Sequence, residues 1–210
     1  TIVAGFSDGS VVALSKSAGV VAWQKELVES GRFRDVDGSP LLQDGKLYLG
    51  TYRGKFFCLN ATDGQILWTA EPGGVTGVAG RADVIFHGTD DGEVVARQAA
   101  DGQVLWTYRL PKGVATTPVL SGDTLWVGSS LRSLYALDAR SGAQRWEWEP
   151  SFRPSGFTAA PTIVDGALYA LSNAGTLYSL VPDAAFRWRL GADADKVSQA
   201  DKVIQSPEKE

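Results

Sequence analysis

Five tryptophans, Trp23, Trp68, Trp106, Trp146 and Trp188, recur at intervals of 45, 38, 40 and 42 residues, and this period constrains the chain more than any other feature. Each closes a longer pattern, clearest in Ala136-Leu137-Asp138-Ala139-Arg140-Ser141-Gly142-Ala143-Gln144-Arg145-Trp146. Asp63-Gly64-Gln65-Ile66-Leu67-Trp68 and Asp101-Gly102-Gln103-Val104-Leu105-Trp106 are near copies, and Ala18-Gly19-Val20-Val21-Ala22-Trp23 is a looser one. Phe186-Arg187-Trp188 ends the series without its glycine. Self-similarity at about 40 residues marks a repeat architecture, in which each unit buries its apolar face only against its neighbours.

Within a repeat, short apolar runs alternate with turn residues. The best-preserved unit predicts strands over 114–120, 124–128, 133–137 and 143–148, broken at Ser121-Gly122-Asp123 and Ser141-Gly142. Sister pairs of strands are predicted over 46–50 with 55–59, 83–88 with 93–97, and 167–171 with 176–180. Neighbouring residues in Leu134-Tyr135-Ala136-Leu137 project to opposite faces of a strand, and no window before the tail sustains a helical stripe. Asp-Gly and Ser-Gly supply the positive φ that tight hairpin loops need.

Four-stranded antiparallel sheets repeated every 40 residues or so predict an all-β chain, a β-propeller whose blades pack face to face. A tryptophan at each blade seam has a physical purpose there. A buried indole covers about 150–250 Å², on the order of 4–6 kcal/mol of gross transfer energy at about 25 cal/mol per Å². The first unit offers strands only over 2–6, 10–15 and 20–27, so its inner strand is missing and five blades are predicted, four of them whole. The blades occupy 1–190. Residues 191–210, rich in Asp, Lys and Glu without the repeat, are predicted to be a solvated, mobile tail.

Composition narrows function by exclusion. A net charge of -4 gives no basic field for nucleic acid, and no apolar run approaches the roughly 20 residues of a membrane-spanning helix. One cysteine forms neither an internal disulfide nor a multi-cysteine metal site. Thr1 starts directly on a strand-like run with no signal peptide, and the chain contains no Met, so it is expected to begin inside a longer product.

The Ala-x-Asp-x-x-Ser/Thr-Gly-x-x-x-Trp pattern resembles the tryptophan-docking motif of quinoprotein (PQQ-like) repeats. Two runs are similar to a narrower family. Arg32-Phe33-Arg34-Asp35-Val36-Asp37-Gly38-Ser39-Pro40 resembles the Arg-x-x-Asp-Val-Asp-x-x-Pro segment of the BamB family, propeller lipoproteins of the outer-membrane β-barrel assembly machinery. Ser155-Gly156-Phe157-Thr158-Ala159-Ala160-Pro161, followed by Val164-Asp165-Gly166 and by Gly175-Thr176-Leu177-Tyr178-Ser179-Leu180, resembles that family's last blade.

An incomplete first blade would leave an open edge, which favours part of a larger ring over a self-contained small propeller, and the resemblance implies the C-terminal part of an eight-bladed one. It also implies a non-catalytic periplasmic scaffold without cofactor, held at the outer membrane by an N-terminal lipid anchor not present in this chain. In that family, acidic residues of the Asp-Val-Asp loop meet a POTRA domain of the barrel-inserting, BamA-like subunit. Position by position that role falls on Asp35 and Asp37, for which turn or strand-edge capping or simple solubility is the alternative; the adjacent Arg32 and Arg34 are candidates to orient these carboxylates in exposed pairs or to touch the partner themselves. A Leu-x-Leu-Arg contact of the family has no counterpart here. The last blade's outer strand, which the family takes from the N-terminus, is predicted here over 184–190.

Two other functions share the repeat: a fragment of a PQQ-dependent dehydrogenase, and a sensor or binding module of a larger protein. For the enzyme, the chain lacks the paired cysteines of many quinoproteins. Asp63, Asp101 and Asp90-Asp91 sit in Asp-Gly turns that backbone geometry explains. His87 takes a strand slot filled by Ala4, Leu49, Val127 and Ala170 in sister repeats, which predicts a partly buried structural imidazole. Cys58 aligns with Ala13, Ala96 and Ala136, which predicts a packing residue. Phe33, Phe152 and Phe157 lead into blades and are candidate partner anchors, with more of them expected in the core than at an interface.

Overall fold

The computed structural model describes residues 1–28, 35–36, 38–52, 54–150, 155–182 and 188–190. All regular structure among them is antiparallel β-sheet. β1 (Ile2–Gly5), β2 (Ser10–Leu14) and β3 (Val21–Glu26) make blade 1, a three-stranded sheet. Blade 2 holds β4 (Leu41–Gln43), β5 (Lys46–Gly50), β6 (Phe56–Asn60) and β7 (Ile66–Ala70), and blade 3 holds β8 (Val75–Arg81), β9 (Val84–Thr89), β10 (Glu93–Gln98) and β11 (Val104–Arg109). Blade 4 holds β12 (Val119–Ser121), β13 (Thr124–Gly128), β14 (Leu134–Asp138) and β15 (Gln144–Trp148), and blade 5 holds β16 (Thr162–Val164), β17 (Ala167–Leu171), β18 (Leu177–Pro182) and β19 (Trp188–Leu190). Blades 1–3 lie in one compact unit, Thr1–Arg109, and blades 4–5 in a second, Leu110–Glu210.

The inner strand pairs match the sequence reading within about two residues because their alternation is strict. The strand predicted over 114–120 is shorter: regular pairing covers only Val119–Ser121, with an isolated bridge between Ala115 and Ser129. Pro118 has no N–H for the ladder. Thr116 turns both its groups to Gly128, its N–H donating to the Gly128 carbonyl at 2.9 Å and its Oγ1 accepting from the Gly128 N–H at 2.8 Å. In the last blade, β19 realises the C-terminal part of the strand predicted over 184–190, pairing with β18 as Leu180 with Leu190 and Pro182 with Trp188. Residues 183–187 and the predicted tail 191–210 lie outside the described residues.

The repeat motif folds into one turn four times over. Gly19, Gly64, Gly102 and Gly142 have φ of 68°, 73°, 79° and 72°. Their N–H groups donate to the carbonyls of Ser15, Asn60, Gln98 and Asp138 at 2.8 to 2.9 Å. Short polar side chains brace the turn: Asp63 Oδ1 accepts from the Gln65 N–H and Asp101 Oδ1 from the Gln103 N–H, each at 3.0 Å. In blade 4, Asp138 Oδ1 accepts from the Arg140 and Ser141 N–H groups at 2.9 and 2.8 Å. A β-bulge follows in each of blades 1–4, between Ala13 and Leu14, Cys58 and Leu59, Ala96 and Arg97, and Ala136 and Leu137.

Two of the five tryptophans, Trp23 and Trp68, dock on the following blade. Trp23 of blade 1 donates its indole N–H to the Ala61 carbonyl of blade 2 at 3.0 Å, and Trp68 of blade 2 donates to the Ala99 carbonyl of blade 3 at 3.3 Å. The ring lies so close that a Cβ on Gly64 would meet Trp23 Cε3 at 2.7 Å, and one on Gly102 would meet Trp68 Cζ3 at 2.7 Å. Trp106 packs on Phe86 at 5.9 Å between ring centres, and Trp146 meets Trp126 edge-on at 5.8 Å. The Trp188 side chain lies outside the described set.

Candidate interaction site

The Asp35–Val36 segment is held by its valine. Val36 is buried among Val11, Ala13, Trp23, Leu47, Leu49, Phe57 and Leu59, the apolar seam of blades 1 and 2. It covers Gly5 so closely that a Cβ there would lie 2.2 Å from the Val36 carbonyl oxygen. The Val36 N–H donates to the Phe6 carbonyl at 3.1 Å, and the Asp35 carbonyl accepts from the Tyr52 N–H at 2.8 Å. Both ends of the peptide are thereby tied to neighbouring loops. Since alternate side chains of extended backbone project oppositely, anchoring Val36 inward turns Asp35 away from the seam.

Sister blades reuse this plug. Val75 presses on Gly50 and Phe157 on Gly128, as Val36 does on Gly5. The carbonyls of Gly74 and Gly156 accept from Asp90 and Asn173, as that of Asp35 accepts from Tyr52. Asp35 therefore stands where two sister blades have glycine, so its half-buried carboxyl is an addition to the repeat and not a requirement of it. The same geometry corrects the reading of Phe157: it is fully buried, in contact with Trp148 and Tyr178, and anchors no partner. Arg32, Phe33, Arg34, Asp37 and Phe152 lie outside the described residues.

Beside Tyr52, a cleft of about 430 Å³ opens between Gly54, the Glu71-Pro72-Gly73-Gly74 connection, and Asp90 and Asp91. The Gly74 N–H donates to the Thr51 carbonyl at 2.9 Å, which ties this cleft to the loop that meets Asp35. Among its described lining residues, Glu71, Asp90 and Asp91 carry carboxylates, and Arg109 donates to the Asp91 carbonyl at 3.1 Å. Among the described residues, no group of three His, Cys, Asp or Glu could hold a metal ion.

Sequence reasoning missed the nearest buried charge. Arg97 occupies the slot of Leu14, Leu59, Leu137 and Leu180 in sister strands, yet it is only 2% exposed. Its Nε donates to His87 Nε2 at 3.0 Å, its Nη1 to the Gly102 carbonyl at 2.9 Å, and its Nη2 to the Glu71 carbonyl that walls the cleft. His87 is fully buried, not partly, and stacks on Phe56 at 4.7 Å. Burial first, then the Arg97 charge, push its imidazole down to about 3, so it is neutral with the proton on Nδ1. Among the described residues that nitrogen makes no well-formed hydrogen bond, and the Gly88 backbone only opposes the shift. Two departures from the repeat, both on one face of β9 and β10, signalled this pair: a histidine and an arginine in apolar slots. An imidazole held this low, with its other nitrogen occupied by a guanidinium, is no general base near neutral pH. Cys58 is buried and its thiol is pushed up to about 11, chiefly by burial, so it is packing and not a nucleophile.

Comparison with known proteins fits this geometry. The family model described as outer membrane protein assembly factor BamB matches residues 1–108 and 91–207. This chain belongs to the BamB family. The BamB of Salmonella typhimurium is 30% identical over 185 residues, covering 85% of this chain and 47% of that protein. The BamB of Escherichia coli is 30% identical over 186 residues with the same coverage. The crystal structure of BamB from Moraxella catarrhalis superposes with a TM-score of 0.70 at 25% identity, over 88% of this chain and 56% of that one. A quinohemoprotein alcohol dehydrogenase from Comamonas testosteroni shares the fold at a TM-score of 0.69 and 15% identity, over 85% of this chain and 39% of that one. The chain spans about half the length of the curated BamB relatives it matches.

Proposed function

We propose that this chain is a non-catalytic scaffold of the outer-membrane β-barrel assembly machinery, working in the periplasm, and that a POTRA domain of the barrel-inserting subunit docks on the segment around Asp35 and Asp37. The supporting observation is the plug. Val36 is fixed between blades 1 and 2, so Asp35 is displayed from a backbone tied at both ends, where sister blades carry glycine. A pre-ordered carboxylate loses little conformational freedom on binding. Glu71, Asp90 and Asp91 in the neighbouring cleft add negative charge, which suits a basic partner surface and speeds encounter with it. Arg32 and Arg34 join this site as sequence neighbours of the carboxylates.

The test is a pull-down of a POTRA-bearing subunit by wild-type chain and by Asp35→Lys/Asp37→Lys. Charge reversal is expected to weaken capture at least tenfold, about 1.4 kcal/mol, while circular dichroism stays native. Equal capture by both proteins would remove these residues from the interface.

A further inference from the structure

Gly5 is fixed more firmly than the segment it faces. It ends β1 and pairs with Val11 of β2, a fully buried residue. Val36 belongs to no strand: its N–H donates to the Phe6 carbonyl at 3.1 Å, and the Asp35 carbonyl ahead of it accepts from the Tyr52 N–H at 2.8 Å. The φ of Gly5 lies outside the left-handed region, so its backbone would accept an L-residue and only space excludes one. A Cβ there would run into the Val36 carbonyl oxygen and lie 2.6 Å from its Cγ1. Because β1 is pinned in its ladder, that crowding is relieved by moving the Asp35–Val36 segment.

The sister seats hold something different. Gly50 is covered by Val75, which lies in β8 and follows a glycine, and Gly128 by Phe157, which also follows a glycine. Over Gly5 the plug follows a carboxylate. One peptide group then joins that carboxylate to the acidic cleft. Between Thr51 and Tyr52, its N–H goes to Asp35 and its carbonyl accepts from the Gly74 N–H at 2.9 Å, so the Asp35 segment and a wall of the cleft hang from the same peptide. Thr51 is fully buried and its N–H donates to the Lys55 carbonyl at 3.2 Å, which fixes that peptide in turn.

We propose that Gly5 is a positioning residue for partner binding: the space it leaves seats Val36, and the seated valine, with the Tyr52 N–H, sets where the Asp35 carboxylate stands. The role rests on Asp35 meeting the partner. Gly5 acts through Val36 and carries no charge, so what it contributes is pre-ordering. A carboxylate held in one place loses less freedom when a basic group pairs with it. The shared peptide also keeps Asp35 in fixed register with the cleft carboxylates, which suits a partner presenting two basic groups at matching separation.

The test measures the Kd for a POTRA-bearing subunit with the 210-residue chain and with Gly5→Ala, Asp35→Asn, the double variant and Gly128→Ala. Gly5→Ala is expected to weaken binding about fivefold, the scale of ordering one side chain, with native circular dichroism and faster hydrogen exchange at the Tyr52 N–H. In the Asp35→Asn background it should weaken binding no further, because it acts through that carboxylate. Gly128→Ala crowds a plug that carries no carboxylate and should bind as wild type. Should Gly5→Ala fail to fold, Val36→Ala, which loosens the same seat, takes its place with the same expectations. Wild-type binding by Gly5→Ala, or an equal loss in the Asp35→Asn background, overturns the positioning role and leaves the docking role of Asp35 standing. Wild-type binding by Asp35→Asn removes the docking role and the positioning role with it.

Discussion

At the scale of single residues, the core of blade 3 carries a cation where its sisters carry leucine. Among the described residues, His87 and two backbone carbonyls, not a carboxylate, satisfy Arg97. Removing one member of such a pair leaves the other buried and unmatched. His87→Leu alone should therefore cost about 3–5 kcal/mol in chemical denaturation, whereas His87→Leu/Arg97→Leu, which restores the residues of blade 2, should fall close to wild type. The imidazole also adds pH dependence. Its folded value of about 3 lies below the ordinary 6.5, so the unfolded chain takes up the proton first. Stability is thus lost as pH falls from about 6.5 towards 3, and full above that window. Melting curves of the double variant should fall less steeply than wild type over this range. Cys58 gives a simpler check: an aromatic disulfide reagent at pH 8 should leave it unlabelled in the native chain and label it at once in denaturant, as its burial requires.

At the scale of the element, the outer hairpin is both a turn and a receptor for the preceding blade. Gly45 and Gly64 share a φ of 73°, but a Cβ on Gly45 would meet nothing, and one on Gly64 would strike Trp23. Gly45→Ala should cost only left-handed strain, about 1 kcal/mol, and Gly64→Ala about 2–4 kcal/mol, since overpacking adds to that strain. The difference measures the dock itself. Trp68→Phe keeps most of the ring but loses the bond to the Ala99 carbonyl, and about 1 kcal/mol is expected for it.

At the scale of the molecule, a shared fold does not carry a shared chemistry. The match to a quinohemoprotein dehydrogenase concerns the stacking of sheets, whereas the described residues here group around a buried histidine, a buried arginine and a rim of carboxylates. Adding PQQ and Ca²⁺ should leave the melting temperature unchanged, because a ligand present at 100 times its Kd would add about 2.7 kcal/mol. A rise of several degrees would favour the enzyme reading over the scaffold.

The tryptophan period alone determined the fold type, the strand pairs and the turn glycines, because each is a local demand: alternation for a half-buried strand, positive φ for a tight hairpin, an indole for a flat seam. Local pattern also picked out Asp35, as an irregularity in the repeat. What tertiary structure decided were properties of neighbours distant in sequence. Val36 is a plug only because Gly5 lies beneath it, Phe157 is core only because Trp148 and Tyr178 enclose it, and Arg97 is tolerated only because Gly102 and Glu71 turn their carbonyls towards it. Burial and hydrogen-bond satisfaction depend on which surfaces meet, and a residue's own stretch of sequence does not record that.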